Sequence, residues 1–172
     1  MLGPDCFTTH FERGDGAALD GLYHSQCALS DARIAQLHYH DCLELGLCEC
    51  GSGVCRIGDQ AQPFAAGDVQ LIFPYQRHLS RADEGTRCVW RFVSVLPIRM
   101  LLKAGLFKAG PAARLYAADG RLCGIVKEAL YPQIARCIRL LVQEVIAPDA
   151  VSGDMLGLRL LELSLLLERS RT

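Results

Sequence analysis

At 172 residues and 18.9 kDa, with 51% hydrophobic and 22% charged residues, the chain has the composition of one domain with a sizeable core, which excludes disorder. Eighteen basic against nineteen acidic residues leave a net charge of -1, so this chain alone lacks the basic excess that holds a protein on nucleic acid. Residues 1–29 carry no motif and are read as an N-terminal arm. From there to Val95, turn signals recur every several residues, at Gly51-Ser52-Gly53, Gly58-Asp59, Ala66-Gly67-Asp68, Pro74-Tyr75-Gln76 and Asp83-Glu84-Gly85. The short apolar segments between them leave no room for parallel crossovers, so residues 1–97 are expected to form an antiparallel sandwich or barrel.

After Pro97 the pattern turns helical. Gly105, Gly110, Pro111 and Gly120 cut the stretch from Met100 to Leu130 into short pieces, expected to be helical. Segment 133–146 sets Ile134, Cys137, Ile138, Leu141, Val142 and Val145 at helical spacing, with Pro132 at its first turn and Pro148 stopping it. Segment 155–169 carries eight leucines and only a thin polar stripe of Arg159, Glu162 and Arg169. A helix apolar around most of its circumference must be covered on more than one side. One side is expected to lie on the barrel or on helix 133–146, and the other on a second subunit, with Leu156, Leu160, Leu163 and Leu167 at a homodimer interface. The alternative is a helix enclosed wholly within its own chain. The apolar run from Leu156 to Leu167, broken by Arg159 and Glu162, is too short to cross a bilayer.

The strongest local signal is His38-Tyr39-His40 followed by Glu44. Two histidines two residues apart on a strand point to one face, so both imidazoles reach the same region. From Leu43 the next strand alternates, with Leu43, Leu45 and Leu47 on one face and Glu44, Gly46, Cys48 and Cys50 on the other. A third histidine, His78, follows the turn at Pro74-Tyr75-Gln76-Arg77, where a neighbouring strand can return it to the same cavity. Imidazole and carboxylate suit zinc, nickel, iron or manganese.

The spacing His38-x-His40-x3-Glu44-x6-Gly51 resembles the first motif of the cupin superfamily, and Gly67-x5-Phe73-x-Tyr75-x2-His78 keeps the register of the second. Phe73 stands where proline is usual and Tyr75 where glycine is usual; Ala32 and Ala82 replace the opening glycine and the closing asparagine. The resemblance implies a small antiparallel, jelly-roll-like barrel with His38, His40, Glu44 and His78 as the ligands of one divalent transition metal. The stretches ELGLCECGSGVCRIG, FAAGDVQLIFPYQRH and RFVSV, followed by helices, resemble the N-terminal sensor domain of AraC-type transcription regulators over residues 30–172. That resemblance implies a mainly β barrel with a helical dimerisation segment over residues 98–172, a small-molecule effector and a cytoplasmic homodimer. DNA would be contacted only through a C-terminal helix-turn-helix domain outside this chain.

Three uses of the histidine and glutamate cluster stay open: a metal site, an organic-effector pocket lined by Cys48 and Trp90, or a hydrogen-bonded structural cluster. The alternative function, from a different class, is a metal-dependent cupin enzyme of the dioxygenase or isomerase kind, since no nucleophile elbow, P-loop or dinucleotide fingerprint is present. Nine cysteines without a C-x-x-C pair, behind an N-terminus lacking signal-peptide character, are expected to be reduced cytoplasmic thiols. Cys42, Cys48, Cys50, Cys55 and Cys88 read as small buried residues, and thiol-based sensing would need one of unusually low pKa. Arginines 56, 77, 81, 87 and 91 read as surface residues, any one of which can also meet an effector carboxylate.

Overall fold

The computed structural model describes residues 7–8, 22–28, 37–107, 109–116 and 122–170. β1 (Phe7–Thr8), β3 (His38–Tyr39), β5 (Ser52–Ile57), β6 (Gln60–Ala65) and β8 (His78–Ala82) form a first sheet in the order β1-β3-β8-β5-β6. β2 (Leu22–Ala28), β4 (Leu43–Cys50), β7 (Val69–Ile72), β9 (Val89–Val95) and β10 (Gly124–Val126) form a second in the order β10-β7-β4-β9-β2. Pairing is antiparallel throughout except between β1 and β3, which run parallel. The fold is the cupin-like antiparallel sandwich followed by helices.

The second sheet is covered on both faces, and strand alternation divides its residues between them. Leu43, Leu45, Val69, Leu71, Val93 and Val95 belong to the large core shared with the helices. Their neighbours Glu44, Cys48, Gln70, Ile72 and Trp90 are also buried, on the face that opposes the first sheet. Cys48, Cys55, Phe64, Cys88 and Trp90 form a second apolar cluster there. Gly46, in the middle of β4, makes room for it: a Cβ would stand 3.0 Å from the Trp90 ring and 3.1 Å from the Gln70 Cβ.

Two segments depart from the sequence expectations. The N-terminal arm supplies β1 to one sheet and β2 to the other, and β2 pairs along its length with β9 from Leu22↔Val95 to Ala28↔Val89. The stretch expected as helical pieces yields α1 (Pro97–Lys103) and α2 (Ala109–Arg114), then returns to the sandwich as β10 beside β7. β10 is three residues long, too short to carry a periodic pattern. Gln62 on β6 holds it from the opposite sheet: its Nε2 donates to the Cys123 carbonyl at 3.3 Å and its Oε1 accepts from the Ile125 amide at 2.7 Å.

α3 (Pro132–Ile146) buries Ile134, Cys137, Ile138, Leu141, Val142 and Val145 against the second sheet, the face its spacing predicts. α4 (Ser152–Arg169) packs across α1, α2 and α3. Leu156, Leu160, Leu163 and Leu167, expected at a dimer interface, are instead its inner face, buried within the chain's own core. The correction has a simple cause: three neighbouring helices, rather than one, cover that face. Gly157 lets α4 approach closely, since a Cβ there would lie 2.4 Å from the Ala104 Cβ. The leucines left outside are Leu158 and Leu165, 50% and 49% exposed.

Candidate metal centre

His38 opens β3 and stands opposite His78 on β8. His40, two residues on, points to the same side, as strand parity requires. Pairing sets His38 beside His78 on the first sheet, the segment after β3 adds His40, and Glu44 of β4 reaches them from the second sheet. All four are buried. One ring nitrogen from each histidine lies within 4.8 Å of the others, and the ring centroids are 4.4 to 5.0 Å apart. The turn before β8 is tied to the same spot by the Tyr75 amide, which donates to the His40 carbonyl at 2.6 Å. Tyr75 holds a left-handed φ of 64° to do so, at the position where the cupin pattern has glycine.

The electrostatics of the cluster follow from its hydrogen bonds. Nδ1 of His78 lies 2.9 Å from the Gln76 carbonyl, which can only accept, so Nδ1 carries the proton. That leaves Nε2 as the nitrogen that gains or loses a proton, and it lies 3.4 Å from Glu44 Oε1 inside the buried cluster. Nε2 of His40 lies 3.1 Å from Oε2. Burial alone would raise the Glu44 pKa, but the charge of His78 and the hydrogen bonds of His40 and His78 hold it well below the usual carboxylate range. Conversely, burial would lower the pKa of His78, and the Glu44 charge overrides it and raises it. An ionised carboxylate facing an imidazole lone pair requires a cation between them, either a second proton or a metal ion.

The residues fit a metal. Tetrahedral Zn–N bonds of about 2.05 Å place ligand nitrogens about 3.3 Å apart, and the three imidazole nitrogens, already within 4.8 Å of one another, are near enough to draw in around one ion. The Gln76 carbonyl fixes the tautomer and orientation of His78 as an outer partner of a ligating histidine does.

Of the other residues singled out from the sequence, Cys48 and Trp90 are placed in the packed apolar cluster. Trp90 meets Phe64 edge-on at 4.9 Å and stacks on Phe92 at 5.4 Å, so both side chains fill space rather than line an accessible pocket. Arg91 pairs with Glu49 at 2.8 Å on the surface. The seven cysteines with described side chains are all free. Burial pushes the thiols of Cys42, Cys48 and Cys137 up to about 12, that of Cys55 up to about 11, and that of Cys88 up as well. These are the opposite of the low-pKa thiols that redox sensing uses.

Sequence reasoning passed over Gln70 and Ser80. Gln70 is fully buried on β7; its Nε2 donates to Glu44 Oε1 at 3.1 Å and its Oε1 accepts from Ser80 Oγ at 3.2 Å. The available signal was parity: Gln70 alternates with Val69 and Leu71, which face the helices, so its amide had to face inward.

Compared with known proteins, residues 20–165 match the family profile described as AraC-like ligand binding domain. The fold is similar to ToxT from Vibrio cholerae, with a TM-score of 0.55 and 10% identity over 88% of this chain and 57% of that one. The AraC-like transcriptional activator CuxR matches with a TM-score of 0.47 and 11% identity, over 86% of this chain and 49% of that one. A cupin protein from Bacteroides fragilis matches with 0.42 and 21% identity, over 51% and 82%. This chain thus spans about half the length of ToxT and CuxR. No curated protein sequence matches it.

Proposed function

The chain belongs to the family of AraC-like ligand-binding domains, and from that premise we propose that it is the effector-sensing and dimerisation domain of a cytoplasmic AraC-type regulator whose effector engages a divalent transition metal. His38, His40, His78 and Glu44 would hold the metal, which would act as a Lewis acid for the donor atoms of a small-molecule effector. One observation carries this reading: three buried imidazoles converge, with His78 Nε2 and the Glu44 carboxylate 3.4 Å apart and the His78 Nδ1 committed to a backbone carbonyl. A family of regulator domains favours sensing over catalysis for such a centre. DNA contact belongs to a separate helix-turn-helix domain. The dimer contact moves to the outer side of the helical layer, where Leu158 and Leu165 of α4 and Leu140 of α3, with Arg136 and Arg169, line a groove of about 630 Å³.

The test is elemental analysis of protein purified without a metal-affinity tag, beside the His38→Ala/His40→Ala variant. Near-stoichiometric zinc, nickel, iron or manganese that disappears in the variant supports the metal-mediated sensor. Metal absent from both, and no uptake when divalent ions are added, overturns it. The pair would then be bridged by a proton, and the pocket would be an organic one.

A further inference from the structure

We propose that Gln70 is a positioning residue that sets the orientation of Glu44 toward the metal, with Ser80 fixing Gln70 in turn; this rests on the metal reading above. An ionised carboxylate only accepts hydrogen bonds, so the Gln70 amide must present its Nε2 to Glu44 and its Oε1 to the Ser80 hydroxyl. The relay is therefore directional, from Ser80 on β8 through Gln70 on β7 to Glu44 on β4, and it crosses from the first sheet to the second. Packing does not ask for it. Gln70 is fully buried in a strand of Val69, Leu71 and Ile72, where an aliphatic side chain would bury no polar atoms.

The relay acts on one oxygen. Gln70 engages Oε1, while Oε2 lies beside His40 Nε2 at 3.1 Å. A carboxylate with one oxygen held in this way cannot rotate freely without breaking the amide hydrogen bond, so Gln70 fixes how Oε1 faces His78 and Oε2 faces His40. Gln70 stands across from Gly46, whose missing side chain leaves the space the Gln70 Cβ borders. Partners of this kind, one bond removed from the ligand, govern affinity through geometry.

The experiment is titration of Co(II) into metal-free wild type and into Gln70→Leu, Gln70→Leu/Ser80→Ala, Ser80→Ala and Ser80→Thr, followed by visible absorption, with far-UV circular dichroism as the check on folding. Loss of the relay should weaken Co(II) binding about 10- to 100-fold. It should also shift the Co(II) absorption band, since the carboxylate is freed to rotate; a merely structural role would leave that band unchanged in protein that still folds. Ser80→Ala should lose affinity in the same direction and Ser80→Thr, which keeps the hydroxyl, should recover it; that pair decides the matter if the Gln70 variants do not fold. Wild type that binds Co(II) alongside folded variants of equal affinity and identical band overturns the role of Gln70 alone. Wild type that binds no Co(II) overturns the metal reading and this one with it.

Discussion

Burial holds the thiols of Cys42, Cys48 and Cys137 neutral up to about 12 and that of Cys55 up to about 11, against 9.0 in an open chain. A group whose pKa is raised on folding stabilises the fold fully below its unfolded value and loses that contribution as pH rises through the folded one. Stability should therefore fall as pH climbs above about 9, because the unfolded chain releases thiol protons that the native one retains. Chemical denaturation at pH 7, 9 and 10.5 checks this, and a flat profile would refute it. Alkylation of these four thiols at pH 8 should be slow in the native protein and fast in urea. The four residues of the centre were legible for a reason at this same scale: two-residue spacing fixes a common face, and the spacing to Glu44 and His78 follows a recognisable register. Gln70 and Ser80 were not, because a lone glutamine or serine in a strand is ordinary until the residue it touches is known.

α4 shows where pattern alone runs out. A count of eight leucines predicts correctly that more than one side of the helix needs a cover. It says nothing about which neighbours supply that cover, and α1, α2 and α3 take the face that was expected to meet a second subunit. The two leucine sets now separate by experiment. Leu160→Glu places an unpaired carboxylate where the side chain is 1% exposed and should cost more than about 4 kcal/mol, read as failure to fold by circular dichroism. Leu158→Glu/Leu165→Glu should leave the fold intact and yield a monomer in sedimentation velocity, if the outer stripe is the contact between copies. An unchanged dimer in the double variant would remove that surface from consideration. α3 needed no revision, since its apolar face is a single stripe. β2 and β10 were missed for the opposite reason, one lacking a strong alternation and the other being three residues long.

At the scale of the whole molecule, the candidate metal centre is a joint between layers. Three of its residues belong to the first sheet's strands β3 and β8 and the segment after β3, and Glu44 belongs to the second. A metal there ties the two sheets as a cross-link does, and binding only the native state raises stability by about 2.7 kcal/mol at a free concentration one hundred times Kd. Zn(II) or Ni(II) should accordingly raise the melting temperature of metal-free protein by several degrees, reversed by a chelator. The His38→Ala/His40→Ala variant should show no such shift. The remaining consequence concerns β10, the strand that leaves the helices to pair with β7 and is gripped from across the sandwich by Gln62. Natural or engineered exchange of sensor modules requires a junction, and the change from strands to helices at Pro97 looks like one. A crossover placed there would import helices carrying a foreign edge strand into a sheet that cannot register it. It would also strand Gln62 without its carbonyl and amide. Recombination that preserves function should therefore cut beyond α4, so that barrel and helices are inherited as one piece.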